Sequence, residues 1–334
     1  MYRLTATYKI EFPNRLRVKR AEDDPLCYTA VIEGFDTEVV LVRNGGASIK
    51  EKGEIHETRA VTRIDVSISR DEDSAPPDVP VNEKGGRDFT DRAPWFGERE
   101  HEYRRVAVEA VNRVIRFFKY EMNTPRLREF SVHDAEFRNP QWTNRNGKEL
   151  QSGIVELTST VLSPPGPGLL GEKDFTEDED AKLGRALQND LDIETHREFL
   201  SDAQTSILHD KLRRAILEMA IACEVAVKGA FFAKATAAGA AYEYLEDKRR
   251  VRVKVIELID GAAKLAFGQS FKDVDPDAYM HIDFLFRARN RVAHRGERTY
   301  RDDVGTECQV DRPTLEAWWA SVDTLMKWIA KHRV

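Results

Sequence analysis

The sequence predicts an α+β protein, in which a β-rich amino-terminal domain with one long helix is followed by an all-α helical bundle. Three observations support this class. Apolar residues of the first half alternate with a period of two, as at 2–12, which is typical of half-buried strands. After residue 200, apolar residues recur instead at helical spacing. Between these regions, 163–168 reads Ser-Pro-Pro-Gly-Pro-Gly, which can continue neither a strand nor a helix.

The strands of the first domain follow from this alternation and from local turn signals. We predict six strands: 2–12, 26–32, 39–42, 64–68, 129–137 and 150–162. The tripeptide Asn44-Gly45-Gly46 directly follows the third strand and predicts a hairpin there. Residues 70–99 hold several prolines, paired glycines and many charges, which predicts a long mobile loop. The long helix is predicted at 98–121, where apolar residues fall on one face.

The break at 163–168 sets the predicted domain boundary. Residues 1–163 are expected to form the β-rich domain, 164–199 a linker with short helices, and 200–334 the helical bundle. Within the bundle we predict four helices: 210–245, 249–267, 276–295 and one that begins at Asp311. Pro276 suits a first helical turn, and Gly296 suits the position just after a helix end.

Composition narrows the classes of function. Charged residues make up 33% of the chain and the formal charge is -6, which argues against a protein that coats nucleic acid without specificity. The three cysteines lie far apart and form no zinc motif, so we expect neither a metal ion nor a cofactor. The amino terminus lacks the layout of a signal peptide, and no apolar stretch is long enough to span a membrane. These features predict a cytoplasmic protein without a membrane partner.

The segment 286–296 carries the groups best suited to chemistry. On a helix, Asn290 and His294 are four residues apart and share a face, and Arg287 lies on the same stripe. Arg289 is about 140° around the helix from His294, yet its long side chain can reach the same cleft. A histidine transfers protons near neutral pH, and an arginine holds a phosphate through two parallel hydrogen bonds. These residue types therefore indicate phosphodiester chemistry.

The charge around this segment favours the same interpretation. Between His281 and Arg301 there are six arginines, Arg295 among them, and only two acids. Such an excess of positive charge suits phosphate groups. A structural interpretation stays open, because surface arginines are commonly just solvated and a lone helical histidine commonly serves the fold. Trp318 and Trp319 also allow two interpretations, since they can stack on bases or pack into the core.

The segment from Arg289 to His294 resembles the hallmark of the HEPN superfamily. That hallmark is an arginine followed after four to six residues by a histidine, commonly with a polar residue next to the arginine. Arg289, Asn290 and His294 match its commonest form. Arg287 with His294 matches a longer form, so the motif leaves two candidate arginines.

The resemblance extends beyond the motif. Residues 214–228 are similar to the first long HEPN helix, with Glu224 at its recurrent acidic position, and 325–329 fits the end of the fourth helix. Glu224 either tunes the site or makes a buried structural hydrogen bond. The resemblance thus identifies 200–334 as a HEPN-type helical bundle, whereas the amino-terminal half resembles no family that we can name.

This resemblance implies a metal-independent endoribonuclease that acts on RNA. Arg289, Asn290 and His294 are its implied catalytic residues, with Arg287, Arg295 and Glu224 in supporting roles. HEPN proteins of this type usually form homodimers in which the two motif helices build one composite site. The ribose 2′-hydroxyl attacks, and the product carries a 2′,3′-cyclic phosphate.

The resemblance leaves several roles open. Many relatives act in phage defence or as toxins, while others are non-catalytic scaffolds that bind RNA or dimerise. A third alternative is one half of a toxin–antitoxin pair. For the ribonuclease, the amino-terminal domain is expected to sense a trigger, select the substrate or restrain the nuclease, through a protein or nucleotide regulator.

Overall fold

The structure is a computed structural model, and it describes the following residues: 1–18, 26–51, 54–81, 83–151, 175, 177–232, 241 and 253–332. The chain divides into two compact units, Met1–Asp192 and Ile193–Val334. The predicted α+β class is confirmed, because the first unit is built on an antiparallel sheet and the second is mostly helical. The break predicted at 163–168 and nearly all of the strand predicted at 150–162 lie outside the described residues.

The described part of the first unit contains a six-stranded sheet with the order β2-β3-β4-β1-β5-β6. Its strands are β1 Tyr2–Val18, β2 Leu26–Ile32, β3 Phe35–Glu51, β4 Glu54–Glu72, β5 Gln141–Asn144 and β6 Glu149–Leu150. All neighbouring strands pair antiparallel. The strand predictions at 2–12, 26–32, 39–42 and 64–68 are confirmed, and the real strands are longer at three of these places.

Two helices pack on one face of this sheet, α1 Arg92–Arg116 and α2 Glu177–Asn189. A π-helical turn, Phe117–Glu121, extends α1. The core between sheet and helices is rich in aromatic rings and β-branched residues, including Tyr8, Ile64, Val66, Phe96, Tyr103 and Trp142. Helix α2 contributes Leu183 and Leu187 to this core, so part of the predicted linker 164–199 belongs to the first unit.

The predicted hairpin at Asn44-Gly45-Gly46 is wrong, because β3 runs straight through it. Asn44 pairs with Ala60 and Gly46 with Arg59, so Gly45 is an extra residue in a β-bulge. A partner strand along the whole of β3 favours a bulge over a reversal. The reversal from β3 into β4 comes later instead, after Glu51, which pairs with Glu54. The preceding reversal, from β2 into β3, lies at Glu33 and Gly34, which both have positive φ, as a tight hairpin turn requires.

Two other predictions for the first unit need correction. The irregular segment predicted as a mobile loop at 70–99 covers only 73–91, because β4 continues to Glu72 and α1 begins at Arg92. The strand predicted at 129–137 is absent from this described stretch, which ends in a 3-10 turn, Ala135–Phe137. There Asn112 satisfies the backbone of Phe130 from the side: its Nδ2 donates to the carbonyl at 2.9 Å, and its Oδ1 accepts from the N–H at 2.7 Å.

The second unit is a helical bundle with a small hairpin. Its described elements are α3 Thr195–Leu208, α4 Leu212–Phe231, α5 Val255–Glu257, α6 Ala263–Phe267, α7 Phe271–Val274, α8 Pro276–Arg295, β7 Thr299–Arg301, β8 Glu307–Gln309 and α9 Arg312–His332. A π-helical turn, Leu258–Ala262, joins α5 to α6. Helices α4, α8 and α9 pack against one another around one apolar core. The hairpin β7–β8 was not predicted, so the bundle is not purely helical.

The bundle helices confirm most of the predicted positions. The helix predicted at 276–295 is α8, and the one predicted from Asp311 is α9. The helix predicted at 249–267 is described from Val255 and contains the π-helical turn. The last part of the helix predicted at 210–245 lies outside the described residues, apart from residue 241. No helix in the described ranges is both long and apolar enough to cross a lipid bilayer.

Candidate functional site

Helix α8 carries the Arg-Asn-x-x-x-His motif, and local chemistry fixes both of its ends. At the start, Asp275 Oδ1 accepts a hydrogen bond from the N–H of Ala278 at 2.9 Å, and Pro276 occupies the first turn. At the end, Gly296 has a φ of 69° and donates its N–H to Val292 at 3.0 Å. The helix therefore stops immediately after the motif, which places His294 in its last turn.

One face of α8 is buried and the opposite face is open. Ile282, Leu285, Ala288 and Val292 lie in the core of the second unit. Asn290, His294 and Arg295 are exposed. Within the described part of the chain, the imidazole of His294 has no hydrogen-bond or ion-pair partner. Its ring is therefore accessible to a ligand.

Arg289 lies beside this open face and is only loosely held. Its Nη1 donates to Asn290 Oδ1 at 3.2 Å, and its Nη2 lies 3.9 Å from Glu224 Oε2 on α4. Neither contact is the pair of parallel hydrogen bonds that a guanidinium can make to one oxyanion. The side chain is half-exposed. Arg289 can therefore rotate to bind an oxyanion, and the rotation breaks only these two weak contacts.

Glu224 is half-exposed, so it is not the buried acid that one interpretation of the sequence required. Its closer ion-pair partner is Lys228, one turn along α4, at 2.8 Å. The weaker 3.9 Å approach to Arg289 leaves that guanidinium incompletely neutralised. Glu224 therefore lies close enough to orient Arg289 but makes no hydrogen bond to its guanidinium.

Arg287, the other candidate arginine, is held by several acceptors. Its Nη1 donates to the backbone carbonyl of Arg301 at 3.0 Å, and its Nη2 lies 2.7 Å from Asp303 Oδ1. Asp283, one turn earlier on α8, also accepts from it. Partial burial works against the charge, yet the hydrogen bonds to Asp303 and Asp283 hold the pKa of Arg287 above its ordinary value. The structure thus brings Arg287 near the motif but gives its guanidinium a structural use.

The hairpin β7–β8 is the element near this site that the sequence analysis missed. Arg291, half-buried on α8, donates to Thr299 Oγ1 at 2.8 Å and lies 2.9 Å from Glu307 Oε2. The signal for the hairpin was present, because Asp302 and Gly305 bracket a short turn. The Asp302 carboxylate accepts the N–H groups of Val304 and Thr306 inside that turn.

Known proteins offer no template for this arrangement. No family model, curated protein or solved structure matches the chain. No group of three or more histidine, cysteine, aspartate or glutamate side chains that could hold a metal ion occurs among the described residues.

The two adjacent tryptophans of α9 are both core residues. Trp318 is 2% exposed and Trp319 is 6% exposed. Trp318 also packs against the Tyr300 ring of β7, with ring centroids 5.4 Å apart. Neither indole presents a face to a base, so stacking on nucleic acid through these two residues is excluded in this conformation.

The first unit has a concavity of its own, of about 1000 Å³, on the sheet face opposite its buried core. Hydroxyl groups dominate its floor, with cross-strand pairs between Thr5 and Ser69 at 2.9 Å and between Thr7 and Ser67 at 3.0 Å. Two carboxylates line it, and one of them, Asp36, pairs with Arg3. Its described lining residues are Thr5, Thr7, Thr29, Ala30, Val31, Asp36, Thr37, Glu38, Ser67, Ser69, Thr143 and Gln188. The concavity therefore offers mainly hydroxyl groups and carboxylates, with the Arg3 guanidinium paired to one of those carboxylates.

Proposed function

We propose that the protein is a metal-independent endoribonuclease of the HEPN type, with its chemistry on the open face of α8. The observation that carries the proposal is the exposed, unpartnered His294 on the same helix face as Asn290, with the loosely held guanidinium of Arg289 beside them. Among the described residues, the His294 side chain makes no hydrogen bond or ion pair that would assign it to the fold. The resemblance of this segment to the HEPN hallmark supports the same assignment.

In this mechanism His294 moves protons and Arg289 binds the scissile phosphate. A base removes the proton from the ribose 2′-hydroxyl, O2′ attacks the phosphorus, and the bond from phosphorus to O5′ breaks. An acid returns a proton to O5′, which leaves a 2′,3′-cyclic phosphate and a 5′-hydroxyl. Arg289 stabilises the charge that develops on the phosphoryl oxygens, and Asn290 orients the guanidinium through its Oδ1.

Two proton carriers are needed on opposite sides of one phosphate, whereas each chain supplies one histidine at the motif. A homodimer that pairs two second units across a twofold axis provides both. His294 of each subunit then serves as base or acid, and Arg289 of both subunits can face the phosphate. Arg287, in this proposal, supports the fold of the site, and Arg295 adds positive charge at its edge.

The biological setting is proposed from the same resemblance. A cytoplasmic RNA-cleaving enzyme with a separate β-rich unit suits phage defence or a toxin whose activity is restrained until a trigger arrives. The regulator at the first unit is a protein or a nucleotide, and the concavity offers it hydroxyl groups and carboxylates. An antitoxin encoded beside this chain is one form that such a regulator can take.

The test is RNA cleavage by the purified full chain in the presence of EDTA. His294→Ala should lower the rate by roughly 10²–10⁴-fold, which is the usual effect of losing a proton-transfer group. His209→Ala is the matched control, because His209 is an exposed histidine of the same unit outside the motif. A well-folded His294→Ala protein that cleaves as fast as the control removes the catalytic assignment of His294. A parent protein that binds RNA and never cleaves it supports the alternative of a non-catalytic, RNA-binding scaffold.

A further inference from the structure

The hairpin β7–β8 is fixed against the motif helix at several points. Arg291 holds the hairpin through Thr299 and Glu307, and Arg287 holds it through the carbonyl of Arg301. A hairpin held in this way keeps its backbone at a defined position relative to α8.

Aromatic packing adds to these polar contacts. The Tyr300 ring packs on Phe284 of α8, with centroids 4.8 Å apart, and on Trp318 of α9. Tyr300 is thereby used inside the unit and does not offer a stacking surface to a base. Binding along the hairpin must therefore rely on charge and hydrogen bonds.

Apart from Arg289, the five other arginines of this region fall into two groups by their partners. Arg287 and Arg291 are neutralised by acids that the hairpin brings back to α8, namely Asp303 and Glu307. A hydrogen-bonded ion pair attracts a phosphate far less than a free guanidinium does. The positive excess counted along the sequence thus overstates what a ligand meets at these two positions.

Arg295, Arg298 and Arg301 form the second group. Across the described ranges, none of their side chains has an ion pair or a hydrogen bond. Arg295 and Arg301 are exposed and Arg298 is half-exposed. The nearby acid Asp302 directs its carboxylate at backbone N–H groups of its own turn. Three free guanidinium groups therefore follow His294 from the end of α8 into the hairpin.

We infer that Arg295, Arg298 and Arg301 form a phosphate-binding strip for single-stranded RNA that leads away from His294. The inference rests on the proposed ribonuclease function and names the substrate class of that site. Attack by a 2′-hydroxyl needs O2′ in line with the breaking bond, an alignment that an A-form duplex does not provide, so the strand must be single. Since the strip contacts phosphates and stacks no base, it adds affinity with little sequence preference.

The strip is tested by the salt dependence of binding to the full chain. The probe is a fluorescent single-stranded RNA with 2′-O-methyl groups throughout, which cannot be cleaved through the 2′-hydroxyl. For single strands, each phosphate contact contributes about 0.7 to the slope of log K against log salt. The double variant Arg298→Ala and Arg301→Ala should therefore lower the slope by about 1.4 and raise Kd.

The controls separate charge from fold. The pair Arg213→Ala and Lys331→Ala removes two exposed positive charges from α4 and α9, and it should leave the slope unchanged. Replacing Arg298 and Arg301 by lysine keeps the charge and should restore most of the slope. Circular dichroism of each variant verifies that the helices persist.

The outcomes distinguish the phosphate-binding strip from the proposed ribonuclease function. An unchanged slope in the folded alanine variant, or an equal loss in the control pair, overturns the strip even if the protein cleaves RNA. Conversely, a lower slope together with an RNA that is never cleaved supports the strip and rejects the ribonuclease. Equal loss of affinity for the lysine and alanine variants also overturns it, because the contacts would then not depend on charge.

Discussion

Replacing Arg287 and Arg289 separately by alanine should have opposite effects on stability and catalysis. The change Arg287→Ala removes a hydrogen bond to the Arg301 carbonyl and ion pairs with Asp283 and Asp303. These contacts are partly exposed, so each is screened and contributes less than about 1 kcal/mol. Together they are worth about 1–2 kcal/mol of unfolding free energy, which lowers Tm by about 3–8 °C for a unit of this size.

Arg289→Ala removes much weaker contacts, at 3.2 Å to Asn290 and 3.9 Å to Glu224. Its stability should stay within about 0.5 kcal/mol of the parent protein. Cleavage, however, should fall by roughly 10²–10³-fold, the usual cost of losing one donor to a developing oxyanion.

The assay pairs thermal unfolding with cleavage rates measured well below the lower Tm, and Arg213→Ala is the control for loss of a surface arginine. At that temperature Arg287→Ala should cleave at close to the parental rate. If Arg287→Ala is the more damaging change while still folded, the longer form of the motif operates and Arg289 is not the phosphate ligand. If both variants keep full activity, neither arginine binds the scissile phosphate.

Three other predictions concern the products, the oligomer and pH. Cleavage should persist in EDTA, leave DNA intact and yield 2′,3′-cyclic phosphates; a magnesium requirement or 5′-phosphate ends contradicts the mechanism. Light scattering should show a dimer, and an active monomer would refute the composite site. Burial raises the pKa of the Cys223 thiol from an ordinary value near 9 to about 12. The folded chain then keeps a proton that the unfolded chain releases, so unfolding free energy falls as pH rises from about 9 to about 12. Urea midpoints at about pH 8 and about pH 10.5 should differ less for Cys223→Ala than for the parent protein, and equal differences would contradict the assignment.

The sequence predicted most accurately the helices whose first and last residues are set by nearby capping residues. Helix α8 begins at Pro276 after the capping Asp275 and ends at the left-handed Gly296, as its composition indicates. The same holds for α9, where Asp311 accepts the N–H of Thr314 at 2.9 Å. Capping acts over three or four residues, so it can be recognised without tertiary structure.

Errors arose where distant segments decide the outcome. Gly45 became a bulge because β4 supplies partners on both sides of it, and nothing in the tripeptide itself records that strand. The division of the arginines into neutralised and free groups depends on Asp303, sixteen residues after Arg287. The placement of His294 on an open helix face was predictable from spacing. The hydrogen bonds and ion pairs that join Arg287 to the hairpin were not.

The threonine and serine rows of the sheet bear on the behaviour of the protein at high concentration. A unit with helices on one sheet face presents the other face to water, and rows of valine or isoleucine there would invite aggregation with neighbouring molecules. Thr5 and Thr7 keep the backbone preference of β-branched residues, while their hydroxyls pair with Ser69 and Ser67 across the strands. The face thus combines a paired strand register with a polar surface, which lowers the tendency of this sheet face to associate with neighbouring molecules.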